Sequence, residues 1–516
     1  MERGSQKKDL TLLFEDTSPV ELLNKMNEHF CSSMAPECPM DTLRDLHDDD
    51  WSPPLSVCDV WKMLAKLTSK AAGSDDVPTL LYKKSALVLA EPLCHLMKEC
   101  ISQRKFPSKW KVAYVVPIPK PGEMSISNCR PISLLPIPAK LLEKVILVNM
   151  RVQLSSLFGR NQFAIRTLSS TTHAIIAVHD TLTKLADNSE IGAATFISFD
   201  FSKAFDTVDH RLLLEKLRRS DLPSGFVVLM RDYLCNRVQQ VRLNGFGSGI
   251  RPVTSGVPQG SLLGPFLFGL FASSLRPINQ STHMVKYMDD ICIVSGIRKE
   301  YALQDAANLK LEIDNVSDWS KSNNLRLNVS KTNGLIRYRG HFKETCDIES
   351  IIPSVQFLPS VRFLGVFLDG NLHWRSHTNH IVRKCAQRMY ILRRMKKVVS
   401  KEECLLIYKG LIRSLVEYAC PAFIGLSVHD STRLARVQRR CLKIIGSDAL
   451  EDLDSRRKNI ALRLFQGLSN QTTIIKELIP PNLPSGRPSI IHCNSSLRQS
   501  AFMSLMCIHA ASSYRV

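Results

Sequence analysis

The spacing of apolar residues along the first hundred positions predicts helices. The segment "SPVE" predicts a helix start, with Ser18 as N-cap and Glu21 as the returning cap. Ser56 and Asp59 predict a second start of the same kind. The apolar residues of 80–105 then recur at helical spacing.

Between residues 110 and 370 the pattern alternates between strand and helix. The strand-like stretches are 110–122, 193–201, a hairpin at 239–253, a hairpin or strand pair at 285–294, and a strand at 361–369. The helix-like stretches are 208–219 and 311–328. After residue 380 the chain is almost wholly helical and basic. The pattern predicts an α+β core followed by a helical domain.

Turn-forming and polar segments predict where these regions separate. The segment "DDDWSPP" at 48–54 predicts an exposed linker, and "KAAGSDDVP" at 70–78 predicts a second break. The segment "IPPNLPSGRP" at 479–488 predicts a loop, and the signals beyond it are weak.

Charge and composition narrow the class of protein. The chain has 516 residues, of which 44% are hydrophobic, and a formal net charge of +20. A chain this basic is expected to bind a polyanion such as nucleic acid, the alternative being an inert charged surface. Fifteen cysteines without a CxxC pair, and no signal peptide, predict an intracellular protein of nucleus or cytoplasm rather than a secreted one. The longest apolar run, 262–271, is too short to cross a bilayer, so no membrane partner is expected.

Three carboxylates interrupt apolar strands and suggest chemistry. Asp200 ends "TFISFD", and Asp289 and Asp290 lie inside "VKYMDDICIV", where we expect them to be buried. A lone Asp at a strand end is usually a turn or cap residue, and acidic doublets also occur by chance. If the two strands are neighbours, the converging negative charges require compensation. Two Mg²⁺ ions would supply it and would form the clamp used for in-line attack on phosphate.

Three motifs in one order give these carboxylates a context. The chain contains "FDFSKAFDTVDH" at 199–210, "GVPQGSLLGPFLF" at 256–268 and "YMDD" at 287–290. In this order they resemble the motifs of reverse transcriptases, in the spelling of jockey-like non-LTR retrotransposons. Further segments resemble the same family, among them "NQFAIRTLSSTTHAI", "LRLNVSKTNGL" and "LARVQRRCLKIIG". The resemblance runs from about residue 60 to 470.

The resemblance implies an α+β right-hand polymerase, with fingers and a palm built on an antiparallel sheet, then a helical thumb and a helical C-terminal region. The implied divisions are a helical N-terminal extension at 1–70, fingers and palm at 71–370 with a core at about 100–369, a thumb and connection at 371–470, and a tail at 471–516. An endonuclease domain is expected elsewhere in a full-length element.

The resemblance also implies roles for residues around the carboxylates. Asp200, Asp289 and Asp290 would be catalytic and would hold two Mg²⁺ ions, with Mn²⁺ as a possible substitute. The backbone carbonyl of Phe201 would complete the metal site. The partners would be an RNA template, a DNA primer and dNTPs.

Five further residues are candidates for nucleotide binding. Phe205 would exclude a 2′-hydroxyl, although a core aromatic is the commoner role, and Gln259 would contact the nucleotide or its template base. Lys120 and Arg130 would grip the triphosphate, or they are solvated loop charges. Lys331 would neutralise or protonate pyrophosphate, or it is an exposed lysine.

Other residues of the same motifs are expected to support the backbone. Gly256 and Gly260 would let the backbone approach a ligand closely. Asp206 and Asp209 are expected to be turn and helix N-terminal carboxylates.

A basic segment at 383–397 has apolar residues interleaved at helical spacing. After a polymerase palm it is expected to follow the template–primer backbone, although a charge run is more often a solvated face. The cations are Arg383, Lys384, Arg388, Arg393, Arg394 and Lys397. Nearby, His373, His377, His380 and Cys385 suggest a metal cluster, but the family resemblance favours ordinary packing positions over zinc.

Three departures from the family pattern keep a second hypothesis open. Met288 replaces the usual Ala, Ala164 and Ile165 replace Gly-Phe, and Asp76 replaces Gly. The first hypothesis is an RNA-directed DNA polymerase, and the second is a decayed or repurposed nucleic-acid-binding remnant. A polymerase of the intron-maturase type is a third, which the spelling after residue 360 disfavours.

Overall fold

The structure is a computed structural model that describes residues 18–32, 49–68, 71–166, 168–447 and 450–469. The helices are α1 Pro19–Cys31, α2 Val57–Ala65, α3 Thr79–Lys84, α4 Ala86–Ser102, α5 Ile137–Leu157, α6 Thr171–Asp187, α7 His210–Arg218, α8 Ser224–Leu234, α9 Leu263–Phe271, α10 Ala302–Ser322, α11 Phe342–Thr345, α12 Ile348–Ile351, α13 Arg375–Met395, α14 Lys401–Ile407, α15 Ser414–Glu417, α16 Val428–Ile445 and α17 Leu453–Ser469. The strands are β1 Val112–Pro119, β2 Cys129–Leu134, β3 Ile191–Phe199, β4 Phe201–Ser202, β5 Arg237–Leu243, β6 Phe246–Gly247, β7 Arg251–Val253, β8 His283–Tyr287, β9 Asp290–Arg298, β10 Arg326–Leu327, β11 Asn333–Tyr338, β12 Gln356–Phe357, β13 Ser360–Phe363 and β14 Val366–Asp369.

The chain divides into two compact units. The first unit contains the described residues up to Gly159 together with Phe201–Leu275 and Asp318–Arg326. The second unit contains Arg160–Asp200, Arg276–Ser317 and the described residues from Leu327 onwards.

The first unit is built on a sheet in the order β2-β1-β5-β6, with β7 also paired to β5. Strand β1 runs antiparallel to β2 and parallel to β5. Asn27 on α1 anchors this helix, because its side-chain amide donates to Ser248 Oγ at 3.1 Å and to the carbonyl of Gly249 at 2.8 Å. The N-terminal helix is therefore an integral part of the first unit.

The second unit is built on a five-stranded sheet in the order β12-β11-β3-β9-β8. The central strand β3 is buried along almost its whole length, as its continuous apolar sequence requires. Helix α6 packs on this sheet, and α13, α14, α16 and α17 continue the same hydrophobic core.

Most predicted elements are present, including the helix of 208–219 and the two hairpins, while the helical stretch 80–105 is divided into α3 and α4. The helix predicted at 311–328 is α10, which begins earlier, at Ala302, and ends at Ser322, before the short strand β10. The hairpin at 239–253 turns at Asn244 and Gly245, whose φ angles of 51° and 86° suit a two-residue loop. Ser56 and Asp59 form the predicted capping box at the start of α2. The predicted loop at 479–488 lies outside the described residues.

Three local predictions were wrong. Ser18 starts α1 as predicted, but its side chain makes no capping hydrogen bond, and Glu21 pairs with Lys25 at 2.9 Å instead. The stretch 361–369 is a hairpin of β13 and β14 rather than one strand, because Leu364 and Gly365 turn at positive φ.

The third wrong prediction concerns the exposed linker at 48–54. Asp49 in this segment accepts hydrogen bonds from the backbone N–H groups of Ser224 at 2.7 Å and Gly225 at 2.9 Å, and so caps the start of α8. Trp51 packs edge-on against Phe226 at 5.7 Å between ring centroids. This segment is therefore a structural brace of the first unit.

No helix in the described part of the chain is long and apolar enough to span a membrane.

Candidate active site

The three predicted carboxylates lie at one end of the five-stranded sheet in the second unit. Strands β3 and β9 are antiparallel, and their last register pair is Phe199 with Ile291. Asp200 and Asp290 are each one residue beyond that pair, so they end neighbouring strands at the same edge. The two carboxylate-bearing strands are therefore neighbours, which was the condition for their carboxylates to converge.

Asp289 reaches the same edge through a tight turn. Strands β8 and β9 pair through Tyr287 and Asp290, which leaves Met288 and Asp289 as the two loop residues. Met288 has a φ of 59°, a left-handed backbone conformation that is costly for a residue other than glycine. The turn holds a strained residue next to the carboxylates, as functional sites often do.

Gln162 holds this turn, and the sequence reasoning missed it. The side-chain carbonyl of this buried residue accepts hydrogen bonds from the N–H of Met288 at 3.3 Å and of Ala164 at 3.2 Å. Backbone bonds from Lys286 to Asn161 and from Phe163 to Lys286, at 2.8 and 2.9 Å, fix the same segment beside β8. The contact spans 126 residues, so no local sequence pattern signalled it.

The expectation of buried carboxylates was wrong for part of the set. Asp290 is exposed, Asp289 is half-buried, and the Asp200 side chain is 45% exposed. The strands are buried but end at the surface, so the carboxylates emerge where the sheet stops. Hydration lowers the cost of holding negative charge at this edge.

Lys331 lies beside Asp200. Its ammonium lies 3.8 Å from Asp200 Oδ2, and its side chain is 67% exposed. The backbone N–H of Asn328 donates to the carbonyl of Asp200 at 2.8 Å, which ties the lysine-bearing turn to the end of β3. An exposed pair of this kind contributes little to stability.

The side chains are not gathered into a finished metal site. Among the described residues, no three His, Cys, Asp or Glu side chains form a group that could hold a metal ion. What the structure supplies is an edge that carries carboxylate oxygens, the donors that hard divalent cations prefer. The observation that fits the predicted magnesium ions is the strand register that brings Asp200 and Asp290 together, rather than a preformed cage of ligands.

Phe205 in the first unit is held by an aromatic stack. Its ring lies 4.6 Å from that of Phe268 with an interplanar angle of 22°. Its carbonyl accepts a hydrogen bond from the N–H of Val257 at 2.8 Å, which joins the Phe205 turn to the Gln259 loop. The ring is half-buried, so it combines packing with an accessible surface.

Gln259 is fixed at both its ends. Its side-chain amide donates to Asp206 Oδ1 at 2.8 Å, and its carbonyl accepts from the N–H of Ser133 at 2.7 Å. Gln259, Asp206 and Ser133 line a cavity of about 40 Å³. Asp206 is therefore a turn residue, as predicted, that also orients the glutamine.

The two glycines of this loop lie close to the backbone of neighbouring segments. A Cβ on Gly256 would lie 2.6 Å from the carbonyl oxygen of Asp206, and a Cβ on Gly260 would lie 2.4 Å from that of Ser133. Both have positive φ, of 83° and 127°. The absence of a side chain at these two glycines therefore lets the loop pack directly against the backbone of Asp206 and Ser133.

A buried carboxylate supports the same loop and was not predicted. Glu143 on α5 accepts hydrogen bonds from the N–H of Leu262 at 2.6 Å and from the Tyr233 hydroxyl at 2.8 Å. Burial raises the pKa of Glu143, although these hydrogen bonds and the charge of Arg237 oppose the rise. Its partner Leu262 is 119 residues away, so no local sequence pattern signalled this role.

Lys120 and Arg130 flank the turn between β1 and β2. The backbone N–H of Lys120 donates to the carbonyl of Asn128 at 2.8 Å, and Arg130 is exposed opposite Ile118. Burial lowers the pKa of Lys203, with Asp206 opposing the shift and Lys120 adding to it. A second lysine therefore lies near this turn.

Asp209 has the predicted role at a helix start. Its carboxylate accepts from the N–H groups of Arg211 and Leu212, at 2.9 and 3.1 Å, and caps α7.

The basic segment of 383–397 forms most of α13 and the turn after it. Arg383, Lys384, Arg393, Arg394 and Lys397 are exposed. Arg388 differs, because it is half-buried and its guanidinium donates to the carbonyl of Leu411. The Arg388 side chain is thus bound to the backbone of the same chain, whereas the other five cations point to the surface.

The histidine-rich segment before α13 is packed among aromatic rings. His377 contacts Phe423 edge-on at 4.9 Å, and Trp374 lies 4.7 Å from His179 between ring centroids. Burial lowers the pKa of both His377 and His179 to about 4, which keeps the rings neutral at physiological pH.

The fold accommodates the departures from the family pattern. Asp76 has a φ of 52°, which explains the preference for glycine there, and its carboxylate compensates by binding Arg242 at 3.1 Å and the Tyr114 hydroxyl at 3.2 Å. Met288 takes its positive φ within a held turn.

Neighbouring antiparallel strands that bring carboxylates to one end of a sheet fit the palm expected of a right-hand polymerase. Residues 118–368 match the sequence model of the family described as reverse transcriptase (RNA-dependent DNA polymerase). This part of the chain belongs to that family, and it is a reverse transcriptase domain of the non-LTR retrotransposon kind.

Curated relatives agree with this assignment. The chain is 26% identical over 411 residues to the "Probable RNA-directed DNA polymerase from transposon X-element" of Drosophila melanogaster, covering 76% of this chain and 44% of the relative. It is 26% identical to the "RNA-directed DNA polymerase from mobile element jockey" of the same species, covering 75% and 43%. The chain thus spans less than half the length of these relatives.

Solved structures give weaker likenesses. Telomerase from Candida albicans, in complex with a fragment of telomeric RNA, is 15% identical with a TM-score of 0.35, covering 76% of this chain and 68% of that one. Apo telomerase from Candida tropicalis is 11% identical with a TM-score of 0.38, covering 72% and 68%.

Proposed function

We propose that the chain is an RNA-directed DNA polymerase that extends a DNA 3′-end on an RNA template. The primer 3′-oxygen attacks the α-phosphorus of a dNTP, the bond to the β-phosphate oxygen breaks, and pyrophosphate leaves. The observation that carries this proposal is the register that puts Asp200 and Asp290 at one edge with Asp289, inside the matched family region.

Asp200, Asp289 and Asp290, with the backbone carbonyl of Phe201, would hold two Mg²⁺ ions, or Mn²⁺ in their place. Such ions lower the pKa of the primer hydroxyl and neutralise the triphosphate and its leaving group. The carboxylate donors and the neighbouring Lys331 ammonium suit a site that handles both cations and phosphate.

The nucleotide would be selected by residues of the first unit. The stack on Phe268 holds the Phe205 ring, so the ring would block the space of a 2′-hydroxyl. Gln259, oriented by Asp206, would contact the nucleotide or its template base. Lys120 and Arg130 would bind the triphosphate, Arg130 through its planar fork.

Lys331 would act after bond formation. Its 3.8 Å separation from Asp200 places an ammonium beside the carboxylate edge. From there it would neutralise or protonate the departing pyrophosphate.

The nucleic-acid duplex would lie along the helical region that follows the palm. We assign residues 371–470 as thumb and connection, and the exposed cations of α13 as contacts to the template–primer backbone. Arg388 would act indirectly, by fixing α13 to the Leu411 carbonyl. An endonuclease would reside elsewhere in a full-length element, and retrotransposition would place the protein in the nucleus.

Carboxylate variants with a matched control test the function. Asp289→Asn should abolish dNTP incorporation and weaken Mn²⁺ binding measured by electron paramagnetic resonance, because one ligand charge is lost. Asp221→Asn removes an exposed carboxylate from a loop and should leave both unchanged. Wild-type incorporation by Asp289→Asn would contradict the assignment.

A further inference from the structure

The motif of 199–210 ends in a histidine that none of the roles above uses. His210 is the first residue of α7 and is only 3% exposed. Its Nε2 lies 2.7 Å from the carbonyl oxygen of Gly256, which is itself buried in the loop that carries Gln259. A buried imidazole of the first unit therefore contacts the backbone of this loop.

The contact fixes the tautomer of the imidazole. A carbonyl oxygen can only accept a hydrogen bond, so the Nε2 of His210 must carry the proton. Burial lowers the pKa of His210, while the hydrogen bond to Gly256 opposes the shift. At physiological pH the ring is thus a neutral imidazole that donates from Nε2 to the loop.

The helix itself does not explain an imidazole at this position. Asp209 already accepts hydrogen bonds from two N–H groups in the first turn of α7. The buried face of the helix is supplied by Leu213, Leu214 and Leu217. A buried polar ring costs free energy unless it is hydrogen-bonded, and the hydrogen bond here goes to the loop. The contact with Gly256 is what the histidine provides and an apolar residue would not.

The turn before α7 and the loop are also joined beside the candidate nucleotide residues. The N–H of Val257 donates to the carbonyl of Phe205 at 2.8 Å. The side-chain amide of Gln259 donates to Asp206 Oδ1 at 2.8 Å. The Phe205 ring and the Gln259 amide therefore belong to one hydrogen-bonded assembly. The histidine holds this assembly at its buried side, where the Gly256 carbonyl lies.

We propose that His210 is a positioning residue for the nucleotide site. Its Nε2–H holds the Gly256 carbonyl and, through the loop, the positions of Phe205 and Gln259. Without the donor, a buried carbonyl would lose its hydrogen bond, and the loop would shift to recover a partner. Nucleotide affinity and sugar discrimination should therefore weaken together. The inference rests on the proposed function for the roles of Phe205 and Gln259.

The test uses two substitutions of similar size that differ in the donor. His210→Gln keeps an N–H donor on a side chain of similar reach, whereas His210→Met has none. Full-length variants are compared with wild type in the incorporation of dTTP and of UTP on poly(rA) annealed to oligo(dT). We expect His210→Met to raise the KM for dTTP by about fivefold or more, with a smaller change in kcat. It should also lower the ratio of kcat/KM for dTTP over UTP by about threefold or more, and His210→Gln should keep both quantities within about twofold of wild type.

Two further measurements separate positioning from general stability and from catalysis. Val60→Ala removes buried methyl groups from α2 of the same unit, so it should lower the melting temperature without changing the KM or the sugar preference. Hydrogen exchange without substrate reports on the loop directly. Relative to the amides of β5, the amide of Val257 should exchange faster in His210→Met than in wild type, and His210→Gln should restore its protection.

The outcomes distinguish this inference from the proposed function. Unchanged exchange of the loop in His210→Met would overturn the inference, as would an unchanged KM and sugar preference in an active enzyme. Equal effects of His210→Met and His210→Gln would overturn it too, because ring packing rather than the donor would then matter. If His210→Met does not fold, His210→Phe takes its place, since it keeps a ring without a donor. A wild-type protein that incorporates no nucleotide would contradict the proposed function, while the exchange measurement would still decide whether His210 holds the loop.

Discussion

The contact between the Gln259 loop and Ser133 makes Gly260→Ala the most informative single substitution. Gly260 has a φ of 127°, a region that costs other residues about 1 to 3 kcal/mol. The new Cβ would also lie 2.4 Å from the Ser133 carbonyl oxygen, and moving it away would break the 2.7 Å hydrogen bond from Ser133 to Gln259, worth about 1 kcal/mol. We expect a loss of about 2 to 4 kcal/mol in the free energy of unfolding by urea, together with a raised KM for dNTP.

Substitutions at two other glycines separate backbone strain from steric contact as causes of the lost stability. Gly245 has a φ of 86° with nothing within 4 Å of an added Cβ, so Gly245→Ala should cost about 1 to 2 kcal/mol from backbone strain alone. Gly159 has open space and no left-handed φ, so Gly159→Ala should be neutral or stabilise by about 0.4 to 1 kcal/mol. If Gly260→Ala cost no more than Gly245→Ala and left KM unchanged, the loop would not depend on this contact.

Three further outcomes follow from the structure. Phe205→Val should lower the preference for dNTP over rNTP, as a ratio of kcat/KM, by about tenfold or more, and an unchanged ratio would reduce the ring to packing. Gln162→Leu should lower kcat more than it changes nucleotide KM, because Met288 loses the acceptor that holds its turn; equal effects on both would argue against a positioning role. His377 has a folded-state pKa of about 4 against an ordinary value of 6.5, so the unfolded chain binds the proton first and stability should fall by up to about 3 kcal/mol from pH 6.5 to pH 4. The free energy of unfolding of His377→Phe, measured with urea, should depend less steeply on pH than that of wild type. A pH profile identical to wild type would mean that other groups cause the loss of stability.

The sequence was sufficient for the parts of the site that short-range patterns encode. Asp200 and the Asp289–Asp290 doublet stood out because charge interrupts apolar strands. Whether the two strands are neighbours stayed open until the structure paired them. Asp209 was recognisable because helix capping depends on a few consecutive residues.

Long-range support could not be predicted in the same way. Gln162 contacts a turn 126 residues away, and Glu143 contacts Leu262 at a separation of 119 residues. The role of Asp49 as a cap for α8 depends on a contact across 175 residues. Such partners are set by how the elements pack, and neither residue type nor local spacing specifies them.

Exposure was the other weak point of the sequence reasoning. An apolar strand predicts burial for its middle, but the residue at which the strand leaves the core depends on register and turn position. Asp290 is exposed because β9 begins there, and Asp200 is nearly half exposed because β3 ends one residue earlier. Gly256 and Gly260 likewise meet backbone, which their spacing alone did not reveal.

Incorporation of dNTPs by the purified wild-type protein on an RNA template tests the central claim most directly. With poly(rA) annealed to oligo(dT), dTTP and Mg²⁺, we predict template-dependent extension of the DNA primer that requires the divalent ion and excludes UTP. No extension with either Mg²⁺ or Mn²⁺, from protein that is folded and binds the substrate, would contradict the proposed polymerase.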